Sequence, residues 1–226
     1  RIVCLALSQD PSFSLTIPTT VSYWRDQEIV DQVWDLVRAL CATSCPKVFH
    51  NGLFDTWWLA RHGVTAANWQ WDTLAAHHAL DAADAHALAY LASIDSRQPF
   101  WKFMKDAKES DDDEGAEFDS ASDAVTAYYT YNGLDAAVTR ELIDVYEARL
   151  KAANLLDFYG RHYRDMFMPL LALMQHGVRM DELRRRDGHV QLVLACKELR
   201  DQLTTMAGTS LHAAKGESPK KVAAFL

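Results

Sequence analysis

Two pairs of side chains in this 226-residue sequence have the types and spacing to do chemistry. The first is Asn51 and Asp55, in "KVFHNGLFDTWWL", where a short apolar run gives way to a helical pattern. The second is Tyr131 and Asp135, in "YTYNGLDAAVTREL". Positions i and i+4 of a helix lie on one face a turn apart, so the phenol and the carboxylate point at the same place. An aspartate set among apolar residues is costly to bury unless a positive group meets it. Hard divalent ions such as magnesium or manganese take carboxylate oxygens. Two such ions, roughly 3.5–4 Å apart, stabilise the attacking and leaving oxygens of phosphodiester hydrolysis, and a tyrosine hydroxyl can orient the water.

Taken singly, each pair has a plainer reading. Asp55 at a strand-to-helix turn is more often a cap, and Tyr–Asp at this spacing occurs on many helices. Their combination and order carry the hypothesis. A third acid, Asp72, follows Trp69 and Trp71 and reads as a helix cap rather than a ligand. His77, His78 and Asp81 look like a metal cluster, but nothing at ligand spacing completes one, so they read as surface residues.

The elements that must position these residues follow from pattern. "RIVCLALS" reads as a strand buried on both faces, and "PSFSLTIPTT" as its antiparallel neighbour after a Gln-Asp-Pro turn. Apolar residues at helical spacing predict a helix over 26–40, begun by Asp26 and Glu28. "CPKVF" is a short strand, and 54–62 a helix stopped by Gly63. "WQWDTLAAHHALDAADAHALAYLASI" is helical in composition, with Asp72 or Thr73 as its cap. Residues 106–122 form a polar acidic loop, expected to be disordered. Residues 122–151 form a long helix with an irregularity at Asn132-Gly133, and further helices are bounded by Gly177, Gly188 and Gly208. The order predicts an α/β domain over 1–153 and a helical segment over 154–226.

Bulk properties narrow the classes. Nearly half the residues are apolar, enough for a real core. No apolar run reaches the length that spans a bilayer. Cys41 and Cys45 have no second pair at zinc spacing, so reduced thiols are expected for the four cysteines. The net charge of -8 is unevenly spread. Seven acids lie in "ESDDDEGAEFDS", whereas the last third, with Arg184-Arg185-Arg186, carries more Lys and Arg than Asp and Glu. A chain that is acidic overall can still offer a basic strip to phosphates, although a solvated helix face explains those arginines equally.

"HNGLFDTWWL", "WDTLAAHHAL" and "YNGLDAAVTREL" together resemble the second and third exonuclease motifs of the proofreading domain of family A DNA polymerases, DNA polymerase I-like and especially phage-type. "HALAYLASIDSRQPFWK" is similar to the segment between those motifs. The motifs are those of the tyrosine subclass of DEDD exonucleases: Asn-x3-Asp, met by Asn51 and Asp55, and Tyr-x3-Asp, met by Tyr131 and Asp135. The resemblance covers most of residues 1–153. Farther on, "MPLLALMQHGVRMDELRRRDG" and "ESPKKVAAFL" look like the approach to the polymerase thumb.

The resemblance implies a ribonuclease H-like fold with a mixed central sheet flanked by helices, and 3′–5′ hydrolysis at a single-stranded DNA end. It implies two divalent ions, Mg2+ or Mn2+, with Asp55 and Asp135 as ligands and Tyr131 orienting water. Primer-template DNA would be the partner, with a processivity factor possible, no membrane, and a cytoplasmic place in a bacterial or phage-infected cell. His50 and Asn51 would contact the nucleotide or hold the Asp55 turn. Phe100, Trp101 and Phe103 would stack on a frayed 3′ end, or else form a hydrophobic helix face, while Phe54 packs in the core. The family's first motif, Asp-x-Glu on a preceding strand, is not matched: the sequence opens at Arg1, as a fragment would. Asp26-Gln27-Glu28 and Asp112-Asp113-Glu114 follow no apolar strand. Half of a two-metal site would then be present, with impaired hydrolysis. Two other readings remain: a ribonuclease D-like exonuclease acting on RNA, and a degenerate domain that binds DNA or a partner without cutting.

Overall fold

A computed structural model describes residues 2–102, 123–209, 212–213 and 216–217. The chain forms two compact units, Arg1–His176 and Gly177–Leu226. The expected acidic loop falls outside the described residues, as does Phe103.

The first unit opens with an antiparallel hairpin, β1 (Cys4–Asp10) and β2 (Phe13–Pro18). Asp10 fastens its turn by accepting from the Ser12 backbone N–H at 2.7 Å. β1 is covered only in part, not buried on both faces as its composition suggested. After a short helix α1 (Val21–Trp24), helix α2 (Gln27–Cys41) starts where Asp26 accepts from the Glu28 N–H. Its Val30, Trp34 and Val37, at i, i+4 and i+7, form one apolar stripe against Leu59 and Val64. That cap role places Asp26 at a helix end rather than on a strand.

Strand β3 (Lys47–Phe49) leads into α3 (Gly52–Ala60), and β4 (Trp69–Asp72) leads into α4 (Thr73–Leu80). β3 and β4 pair in parallel. β4 lies at the front of the stretch read as helical in composition, Asp72 caps α4 as expected, and the helix is broken again before α5 (Leu88–Asp95). The mixed central sheet therefore takes the form, among the described residues of the first unit, of two separate pairs, one antiparallel and one parallel. The pairs share cover: Leu5 of β1 and Phe49 of β3 both pack against the α2 cluster, and α6 (Asp123–Ala152) packs on β1, β2 and β3.

Helix α6 runs unbroken through Asn132 and Gly133, where an irregularity was expected. Gly133 is there for proximity. A Cβ on it would stand 2.8 Å from Ser14 Oγ and 3.1 Å from Thr16 Oγ1, and Thr16 Oγ1 donates to the Tyr129 carbonyl at 3.0 Å. Farther along, Val138, Leu142, Ile143, Tyr146 and Leu150 are buried against α4, α5 and Trp101. Each of the aliphatic side chains among them contributes about 1.5–3 kcal/mol of burial.

The first unit extends past the boundary expected at residue 153. Helix α7 (Leu156–Tyr159), a π-helical turn (Gly160–Arg164) and α8 (Asp165–His176) pack back on β4. Tyr159 stacks on Trp71 and Phe167 on Trp69, with ring centroids 4.8 and 4.3 Å apart. In the second unit, α9 (Glu182–Ala207) is exposed along its length and continues through Gly188, which was expected to end a helix. Arg184 and Arg185 pair there with Asp181 and Glu182, as a solvated face would. Two-residue strands β5 (His212–Ala213) and β6 (Gly216–Glu217) pair beyond it.

Candidate active site

The turn from β3 into α3 presents the first candidate pair. Asn51 takes up left-handed backbone geometry, φ 57° and ψ 45°, which Asn tolerates better than most residues. Gly52 then lets α3 start hard against the strand. A Cβ there would lie 2.5 Å from both Phe49 Cβ and Trp69 Cζ2.

Asp72 ties this turn to α4. One of its oxygens accepts from the N–H groups of Asn51, Leu74 and Ala75, and the other from Gly52 N–H at 2.6 Å. It is therefore the cap of α4 and also a clamp on the start of α3. At 4% exposure, burial raises its pKa despite those four hydrogen bonds.

Asp55 stands on the first turn of α3 with no hydrogen-bond or ion-pair partner among the described residues, so it is not a cap. Water reaches it, yet protein crowds it. Burial, the charge of Asp72 and the charge of Asp135 push its carboxyl up to about 6. A ligand can reach the carboxyl, yet bulk water screens it poorly. Among the described residues, the charges that act on Asp55 are those of two further carboxylates, Asp72 and Asp135, and no cation is paired with it.

Tyr131 and Asp135 lie on α6, as the spacing required. Asp135 Oδ1 accepts from the Trp101 indole N–H at 2.7 Å and from the Lys102 ammonium at 2.7 Å. Lys102 also donates to the Tyr131 hydroxyl at 3.0 Å. His50 lies near this group: burial, then the charges of Lys102 and His86, bring its imidazole down to about 4, and its Nδ1 sits 2.8 Å from Thr73 Oγ1. The chain thus brings Asp55, Asp135 and His50 within electrostatic reach of one another or of Lys102.

Residues 13–150, more than half of the chain, match the 3′–5′ exonuclease family. The chain belongs to the 3′–5′ exonuclease family. No curated protein matches it. Membership fits the mixed α/β character of the first unit, with its small sheets and many helices, and it makes the chain a nuclease whose substrate is nucleic acid.

Exonucleases of this kind generally use divalent metals. The donor chemistry of this chain fits in part. Asp55 offers hard carboxylate oxygens that are unpaired among the described residues, with the charge of Asp135 in electrostatic reach. Among the described residues, however, no three His, Cys, Asp or Glu side chains form a group able to hold a metal ion by themselves.

Several expectations for this exonuclease change. Trp101 is 1% exposed, so it offers no open face for a base, and its indole holds Asp135 instead. Phe100 is 63% exposed. Phe54, expected in the core, is 60% exposed, against the edge of Trp58. His77 is buried rather than on the surface. Its Nδ1 lies 2.9 Å from His86 Nδ1, and His78 Nδ1 lies 2.9 Å from His86 Nε2. Lys102 and the clamp made by Asp72 were missed. The available signal for Lys102 was a single cation inside the apolar run "QPFWKF".

Proposed function

We propose that the chain is part of a family A DNA polymerase and carries its proofreading exonuclease, acting on the single-stranded 3′ end of DNA in the cytoplasm of a bacterial or phage-infected cell. One observation supports this reading above the others: Asp55, on a turn built to present it, has no hydrogen-bond or ion-pair partner among the described residues and feels the charge of Asp135, beside the Tyr131 hydroxyl.

Asp55 and Asp135 would hold two divalent ions, Mg2+ or Mn2+, in company with water and further oxygen ligands. When bound, such ions lower the pKa of the attacking water and stabilise charge on the leaving oxygen. Tyr131 orients the water through its hydroxyl oxygen. Asn51 and His50 line the approach and fix the Asp55 turn, and Phe100 receives an unstacked base. Two further carboxylates would come from the family's Asp-x-Glu motif, which no described strand of this chain carries. Of the two candidates within the chain, Asp26 is spent as a cap, and Asp112-Asp113-Glu114, which follows no apolar strand in the sequence, lies outside the described residues. Hydrolysis by the 226-residue chain alone would then be slow. Residues 154–226 would begin the polymerase thumb.

The test is Mn2+-dependent release of mononucleotides from a 5′-labelled single-stranded DNA, using the chain extended by its upstream coding sequence. Asp135→Ala should abolish release. Equal rates for the variant and the unmutated chain would refute the site, and faster digestion of single-stranded RNA than DNA would favour the ribonuclease D-like reading. DNA binding with no release by either protein would mark a domain that binds without cutting.

A further inference from the structure

Lys102 occupies an unusual position for a lysine. Its ammonium meets Asp135 Oδ1 and the Tyr131 hydroxyl. It also lies 4.5 Å from the Tyr131 ring centroid and 5.1 Å from that of Trp101. Two aromatic faces and two oxygens thus fix a side chain that is normally free in water. An ammonium has three N–H donors and no acceptor, and two of the three are spent on these oxygens.

Asp135 Oδ1 has two lone pairs, and both are in use, one by Trp101 and one by Lys102. A divalent ion that takes this oxygen must displace a donor. The Trp101 indole is buried and packed within the main core, so it has nowhere to go. The ammonium ends a flexible four-carbon stem and can move. An ion on the other oxygen, Oδ2, would instead stand beside the ammonium, and like charges at that range repel strongly. On either route the ion and Lys102 oppose each other.

We propose that Lys102 is the resident counter-ion of the exonuclease site: it neutralises Asp135 until a divalent ion arrives, yields Asp135 to that ion, and stays bonded to the Tyr131 hydroxyl. Its released donor then faces the phosphate being cut. Lys102 is a positioning residue in the first state and a phosphate contact in the second. This rests on the reading that Asp55 and Asp135 hold a cation.

Mn2+ titration followed by electron paramagnetic resonance on the full 226-residue chain tests it without relying on turnover. Lys102→Met removes the charge but keeps the stem, and should tighten Mn2+ binding roughly tenfold, the scale of one like charge removed from a partly screened site. Lys102→Arg keeps the charge and should bind Mn2+ as the unmutated chain does, which also guards against a folding defect in the methionine variant. Asp135→Asn should weaken binding. If Lys102→Met binds Mn2+ no tighter while Asp135→Asn weakens it, the counter-ion role is overturned and the exonuclease reading stands. If Asp135→Asn binds Mn2+ as well as the unmutated chain, the cation site itself fails, and the role of Lys102 with it.

Discussion

The indole N–H of Trp101 donates to Asp135 Oδ1 at 2.7 Å, joining the core of the first unit directly to the acid of α6. Hydrogen bonds to charged groups contribute about 1.5–3 kcal/mol. Trp101→Phe keeps most of the buried ring and loses this bond. It should cost about 2 kcal/mol in chemical denaturation, and nucleotide release should fall with it. A variant as stable as the unmutated chain would show that the bond does not hold Asp135 in place.

Gly52 gives a sharper steric prediction. A methyl group there meets Phe49 and Trp69 at 2.5 Å, and both belong to the strands that build the site. Gly52→Ala should therefore destabilise by about 1–3 kcal/mol or more, the range seen for overpacking. Thermal unfolding would register this as a fall in Tm of several degrees. Gly188→Ala, at a position where an added Cβ meets nothing within 4 Å, should raise Tm slightly or leave it unchanged.

His50 predicts a dependence on pH. Its folded pKa lies near 4 and its ordinary value is 6.5. Between those values the unfolded chain binds more protons at this site than the folded chain does. Stability from His50 is thus fully present above pH 6.5 and is lost as pH falls toward 4, by at most about 3 kcal/mol. His50→Asn should flatten that part of the stability–pH profile measured by urea denaturation. An unchanged slope would mean that His50 titrates normally in the folded chain.

The parts of this fold that could be read from the sequence are those whose signals are local. β3 and α3 follow from a Pro, a short apolar run and a polar turn, and α2 from its stripe and the Asp26 cap. β4 was hidden because "WQWD" is only four residues long, the shortest run in which alternation can mark a strand, and leads directly into the helix that Asp72 caps. Gly133 was misread because glycine in a helix pattern signals a break, whereas here the close approach of Ser14 requires it. The candidate acids were legible through motif spacing. The setting of Asp55 was not, because it arises from Asp72 and Asp135, which are distant in sequence. Trp101 and Lys102 failed for the same reason: composition marks an aromatic or a cation, but its partner lies 33 or 34 positions away.

Helix α6 is pressed against the hairpin at Gly133, midway between Tyr131 and Asp135. The seam between α6 and β2 therefore acts as a fine adjustment for the chemistry. A bulkier side chain at Ser14 touches neither nucleic acid nor metal, yet it would lift the helix by a fraction of an ångström and carry hydroxyl and carboxylate away together. Variation within the hairpin would then change the rate of cleavage while leaving every acting group intact.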